Sequence, residues 1–209
     1  MKKTTVEKSI TAVFSTALCA GLLFAGSLQA AGSRTEQTEQ TELAAETETE
    51  DSSYSSDSFG NLQDFKAKAL DGKEYTEKDF KDKDLIMVNF WSTQCGPCIY
   101  EMPGLAKLEQ SLPDNVKMIT VCLDGAGYED IVKQILDEAG YTGTTFVSWG
   151  SGDDLDVIAQ ELQYTPTTLF FDAKGKITGK EQIGSFEDPE SEYKELINTV
   201  LKDMGKDEI

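Results

Sequence analysis

The sequence predicts an α/β domain: a central mixed β-sheet flanked by helices, with a β extension at its N-terminal end. Three observations predict it. From Phe59 onward, short apolar runs alternate with amphipathic stretches, the pattern of strands and helices taking turns along a chain. The run LIMVNFW (85–91) is continuously apolar and partly β-branched apart from one asparagine, as a buried strand is. Later, TTLFFDAKGKITGKEQIG (167–184) places two strand-like runs around Asp-Ala-Lys-Gly, a hairpin signal.

Before the domain come two appendages. Residues 1–31 carry lysines at 2, 3 and 8 and then no charge from Ser9 to Gly32, the layout of an export signal. Small residues offer cleavage after Ser27 or after Ala30, while the uncharged run is also long enough to serve as an uncleaved N-terminal anchor. Both outcomes put the body of the protein outside the cytoplasm, secreted or tethered to the outer face of the membrane. Residues 32–58 form a Thr/Glu/Gln/Ser tract almost free of aliphatic side chains. Such a composition buries too little apolar surface to offset chain entropy, so it is expected to be a disordered acidic linker. The folded unit is expected at 59–209.

Within that unit, LQDFKAKALDGKEYTEKDFKDKD (62–84) contains strand-like pieces around Asp71-Gly72 and is expected to form a hairpin on the sheet edge. After the strand at 85–91 a helix is expected, with Leu105, Leu108 and Leu112 at helical spacing. VKMITVCL (116–123) predicts a second strand. YEDIVKQILDEAG (128–140) predicts a helix with Ile131, Ile135 and Leu136 on its inner face and Gly140 at its end. TTFVSW (144–149) reads as a short strand, DDLDVIAQEL (153–162) as a helix started by aspartates, and PESEYKELINTVLKDM (189–204) as a closing amphipathic helix. A parallel pair of strands in the first half and an antiparallel pair in the second follow from this order.

Composition narrows the function. With 38 acidic residues against 19 lysines and arginines, the formal charge is -19. Electrostatics on that scale oppose binding to nucleic acid or anionic lipid, so neither is expected as a partner.

The chemistry concentrates in VNFWSTQCGPCIYEMP (88–103), where Cys95 and Cys98 fall at a strand-to-helix junction. Proline at 97 suits a first helical turn, because the amide hydrogen it lacks would be unpaired there. Cys95 is thereby placed at a helix N-terminus, where free backbone amides and the helix dipole favour a thiolate and lower a thiol pKa from about 8.5 toward about 7. Two structural uses of the pair compete with redox chemistry. A zinc site needs about four N or S ligands, yet the exported part has only Cys95, Cys98 and Cys122, and the chain has no histidine. A metal is not expected. A permanent disulfide suits an oxidising compartment, although closing so short a loop removes little chain entropy. Of the remaining cysteines, Cys19 lies within the leader as an apolar filler, and Cys122 is favoured as a buried strand residue over a third redox thiol.

These residues, together with YTPTTLFFDAKGKI (164–177), resemble the thioredoxin superfamily, and within it the TlpA-like and ResA-like extracytoplasmic thiol-disulfide oxidoreductases. The likeness runs from about residue 59 to the end and implies a thioredoxin-like fold. It also implies that Cys95 is the attacking thiol, Cys98 the resolving thiol, and Thr165-Pro166 a cis-proline loop where substrate backbone docks beside Gly96 and Pro97. Trp91 is expected beside the cysteines on the substrate-binding face, with strand core as its alternative use. Two departures from cytoplasmic thioredoxins, Asn89 in place of their buried aspartate and Gln94 in place of their tryptophan, match the exported branch better. That branch commonly carries a glutamate where this chain has Glu101, and the three-residue spacing puts Glu101 on the helical face of Cys98. A proton relay from Cys98 to a half-buried Glu101 is one reading, and a solvated first-turn glutamate is the other.

The resemblance implies an enzyme that needs no cofactor and acts as a monomer. It would reduce substrate protein disulfides with electrons from a CcdA-like or DsbD-like membrane donor. Apocytochrome c and an exported methionine sulfoxide reductase are the candidate acceptors. Gly-Pro between the cysteines is the dipeptide of thioredoxin, whose potential of about -270 mV is reducing. An exported disulfide-forming oxidase and a non-enzymatic surface domain with a stable disulfide are the two alternatives.

Overall fold

In the computed structural model, which describes residues 59–209, seven strands form one sheet in the order β2-β1-β5-β4-β3-β6-β7. The expected leader (1–31) and acidic linker (32–58) lie outside the described residues. Strand β1 spans Lys66–Ala69 and β2 Glu74–Thr76; they pair antiparallel as the expected edge hairpin, β1 then pairing with β5. A short 3-10 turn, Glu77–Phe80, follows, capped by Thr76 and Asp79, an element the strand and helix patterns do not predict.

At the centre lies β3 (Leu85–Trp91), parallel to β4 (Val116–Cys122) on one side and antiparallel to β6 (Thr167–Asp172) on the other. Strand β5 (Thr144–Trp149) runs parallel to β4, and β7 (Ile177–Ile183) closes the far edge against β6. Parallel neighbours need crossover helices. Helix α1 (Gly96–Ser111) joins β3 to β4, and α2 (Glu129–Ala139) joins β4 to β5. Helix α3 (Asp154–Glu161) and the terminal α4 (Pro189–Asp203) complete the chain. Among the described residues no helix is long and apolar enough to cross a membrane.

Because side chains alternate across a strand, β3 supplies two cores. Leu85, Met87 and Trp91 pack with α1, α2 and α4, whereas Ile86, Val88 and Phe90 pack with α3 and the N-terminal Phe59, Leu62 and Phe65. The same parity applies to β6, where Phe170 joins the first core while Leu169 and Phe171 join the second. Asn89 and Thr168 therefore share the face beneath α1 and α4, and they are direct partners in the β3–β6 register. A one-residue slip would turn both away from that face.

One expectation is corrected in α2. Its buried positions are Val132 and Leu136, four residues apart, while Ile131 is 46% exposed and Ile135 is only partly covered. Leu136 and, in part, Ile135 face the first core as expected, while Val132 takes the inward position next to the exposed Ile131. Its end is as expected: Gly140 takes φ 72°, the left-handed conformation that glycine enters without steric cost.

Candidate functional site

The loop after β3 delivers Cys95 to the first turn of α1, where it is the N-cap residue. The Cys98 backbone N–H points at the Cys95 sulfur across 3.2 Å, so an unpaired amide of the helix end is aimed at that atom. Cys95 and Cys98 are joined as a disulfide, with Cα atoms 5.2 Å apart. The two sulfurs differ in access. Cys95 is partly exposed between exposed Gly96 and Gln94, whereas Cys98 is fully buried in the first core. Only Cys95 can meet a macromolecular disulfide without the helix moving. Pro97 sits exposed in the first turn, and Pro103 lies inside α1, where it removes one backbone hydrogen bond.

Across from the pair, the Thr165–Pro166 bond is cis. The Thr165 carbonyl oxygen lies 3.4 Å from the Cys95 sulfur, and the Pro166 carbonyl accepts from the Gly184 N–H. Pro166 is buried and Thr165 half-buried, so it is backbone, not side chain, that faces Cys95 at this point.

Trp91 is placed differently from its expected position on the substrate face. It is 0% exposed, packed in the first core with Cys98 and Met102. Its alternation along β3 aims it inward, so it supports the site from beneath and meets no substrate.

Glu101 is also 0% exposed, which removes the solvated first-turn reading. Three residues past Cys98, it is carried by α1 down onto the sheet, where Asn89 Nδ2 donates to its Oε1 at 2.9 Å. The Tyr193 hydroxyl donates to Oε2 at 3.5 Å, and the Phe186 backbone N–H adds a third donor. Burial pushes the Glu101 carboxyl up to about 7 from its ordinary 4.5, against the opposing pull of these donors. The result is a carboxyl whose proton affinity lies near neutral pH, one helical turn from the buried Cys98.

Two groups that sequence reading missed complete the surroundings. Thr168 and Tyr193 join Asn89 around Glu101, with Asn89 Nδ2 donating to Thr168 Oγ1 at 3.0 Å and Thr168 meeting the Tyr193 hydroxyl at 2.9 Å. Tyr193 is 92 positions from Glu101, so no spacing rule links them. Asp124, at the end of β4, accepts from the Thr93 N–H at 2.8 Å and from the Thr93 hydroxyl at 2.7 Å, fixing the loop that leads into Cys95. Burial acts to raise the Asp124 carboxyl, yet the Thr93 bonds outweigh it and hold the group below its ordinary range. A polar residue where a parallel strand ends is the signal that could have found it, since sites gather at the carboxyl ends of such strands.

Cys122 donates its thiol to Asp124 at 3.2 Å and is fully buried. Burial, reinforced by that carboxylate, pushes the thiol far above the range in which it ionises. It packs as an apolar residue and has no nucleophilic form at working pH.

A family model described as Redoxin matches residues 58–197. The chain is 32% identical over 114 residues to the thioredoxin-like protein YneN of Bacillus subtilis (strain 168), a match covering 54% of this chain and 65% of that protein. It is 33% identical over 93 residues to the thiol-disulfide oxidoreductase ResA of Oceanobacillus iheyensis, covering 44% of this chain and 46% of that one. The chain thus spans less than two thirds of the length of both relatives. Among solved structures it is similar to the pneumococcal exposed lipoprotein thioredoxin Etrx1 of Streptococcus pneumoniae strain TIGR4, with 24% identity, a TM-score of 0.53, and coverage of 66% of this chain and 98% of that one. That likeness shows the fold.

Proposed function

The chain belongs to the Redoxin family, among the TlpA-like and ResA-like members of the thioredoxin superfamily, and from that membership we propose that it is a thiol-disulfide oxidoreductase reducing protein disulfides through Cys95 and Cys98. The observation that carries this reading is the asymmetry of the pair: one sulfur partly exposed at a helix N-terminus, the other buried behind it.

The Cys95 thiolate attacks one sulfur of a substrate disulfide; a Cys95–substrate disulfide forms and the other substrate sulfur leaves as a thiolate that takes up a proton. Cys98 then loses its proton to Glu101, attacks the Cys95 sulfur and releases the second substrate thiol. Two electrons pass to the substrate, and the Cys95–Cys98 disulfide is left. The helix N-terminus favours the Cys95 thiolate in both directions, and Glu101, titrating near 7, takes and returns the Cys98 proton. The Thr165 backbone ahead of Pro166, facing Cys95 beside exposed Gly96 and Pro97, offers substrate main chain a place to pair.

Regeneration needs a reductant. In the extracytoplasmic setting expected from the leader, glutathione-type pools do not supply it, so the reading includes a membrane dithiol donor of the CcdA or DsbD type. Apocytochrome c and methionine sulfoxide reductase remain the proposed acceptors.

The test is a trap. With Cys98→Ser, the first attack proceeds and the second does not, so mixed disulfides through Cys95 accumulate in cells and identify the acceptor by mass spectrometry. Mixed disulfides absent from Cys98→Ser cells, while present on incubation with a small-molecule disulfide, would rule out a protein acceptor.

A further inference from the structure

Asn89, Glu101, Thr168 and Tyr193 come from four different elements, β3, α1, β6 and α4, and all four are 0% exposed. Their hydrogen bonds close on themselves. Asn89 Nδ2 donates to Glu101 Oε1 and to Thr168 Oγ1, Thr168 bonds the Tyr193 hydroxyl, and Tyr193 bonds Glu101 Oε2.

A carboxylate can only accept, which fixes the direction of the ring. The Asn89 amide nitrogen must face Glu101, and both of its hydrogens are committed. Thr168, accepting from Asn89, then donates to Tyr193, and Tyr193 donates to Glu101. Every member but Glu101 donates, and the donations converge on its carboxylate from both sides. Since no member reaches solvent, the ring is not a path by which a proton leaves.

We propose that Tyr193 and Thr168 are positioning residues for the redox site, closing a buried hydrogen-bonded ring that holds the Glu101 carboxylate in one orientation beneath Cys98. The proposal rests on the reading of Glu101 as proton acceptor for Cys98, and it adds the groups that make that acceptor available. Without the ring, a carboxyl so deeply buried would stay protonated across the working range, because burial alone favours the neutral form. The groups facing Glu101 are few. Strand β3 presents Asn89, α4 Tyr193 and the loop ahead of α4 the Phe186 amide, while Thr168 of β6 stands behind them, bonded to Asn89 and Tyr193. Tyr193 is the one titratable side chain among these four, and burial, then the neighbouring carboxylate, keeps its hydroxyl protonated. Cys98 shares helix α1 with Glu101.

The test follows Glu101 directly, by ¹³C NMR of the labelled side-chain carboxyl through a pH titration of the oxidised protein. Tyr193→Phe keeps the ring stacked edge-on against Phe186, at 4.7 Å between centroids, and removes only the hydroxyl. The Glu101 midpoint is expected to move upward by roughly one unit, the scale of one lost hydrogen bond to a charged group. Thr168→Val is expected to move it in the same direction, and Thr168→Ser, which restores a hydroxyl, to leave it at the wild-type value. Midpoints unchanged in both Tyr193→Phe and Thr168→Val would overturn the proposal, as would Thr168→Ser shifting as far as Thr168→Val. The pH profile of mixed-disulfide resolution, measured on the same variants, separates the two ideas. A moved carboxyl midpoint with an unmoved rate profile upholds the ring and refutes the relay.

Discussion

Cys95→Ser will reduce the rate at which the protein reduces a disulfide substrate such as insulin by about 10³-fold or more, to the uncatalysed background. The size of the effect follows from access. Cys98 is fully buried under the first turn of α1, so when Cys95 is gone no sulfur in the pair can reach a protein disulfide. Cys122 offers no substitute, being buried and held protonated beside Asp124. Steady-state turnover measured by thiol release checks this, and retained turnover in Cys95→Ser would mean that attack comes from elsewhere. The same asymmetry predicts that, in the reduced wild-type protein, iodoacetamide alkylates Cys95 much faster than Cys98.

Glu101→Gln should change both stability and rate, in opposite senses. Folded, the carboxyl titrates at about 7 against an ordinary 4.5, so the folded state binds its proton more tightly than the unfolded state does. That contribution to stability is complete below about pH 4.5 and is lost as pH rises to about 7. A gap of about 2.5 units corresponds to roughly 3 kcal/mol at most. Glutamine carries no such penalty. It can accept from Asn89 through its oxygen and donate to Tyr193 through its nitrogen, because the Tyr193 and Thr168 hydroxyls are free to rotate. Urea denaturation should therefore find the variant equal to wild type near pH 4 and more stable, on the order of 3 kcal/mol, near pH 8. In the same variant, the step in the resolution rate centred near pH 7 should disappear and turnover fall about 10²-fold, the usual worth of a positioned base. A buried group that stabilises the protein when neutralised and slows it when neutralised is retained for chemistry, as trade-offs of this kind at working sites indicate.

Much of this architecture was legible in the chain. Strands that are buried on both faces read as unbroken apolar runs, which is why β3, β4 and β6 stood out at nearly their observed ends. Cys95 and Pro97 marked the start of α1 because capping and proline chemistry are local. Glu101 was reachable through helical spacing from Cys98, but its burial was not. Spacing says which residues share a helix face; it does not say how close the sheet beneath that face lies. For the same reason Ile131 was expected inside and its neighbour Val132 was not, since the two side chains are about equally apolar. Tyr193 and Thr168 were out of reach altogether. Each reads locally as an ordinary core position, and only the packing of α4 across β6 and β3 brings their hydroxyls to Glu101.

In the proposed function Cys95 and Cys98 form a reducing couple that cycles. It is tested most directly by the reduction potential of the pair, measured by equilibrating the protein in dithiothreitol buffers of defined ratio and quantifying the free thiols. The expected value is near that of thioredoxin, about -270 mV, at which the reduced pair gives electrons to ordinary substrate disulfides. A value above about -180 mV would make the protein an oxidant, and a pair still closed below about -300 mV would make it a fixed staple; either would exclude a cycling reductase.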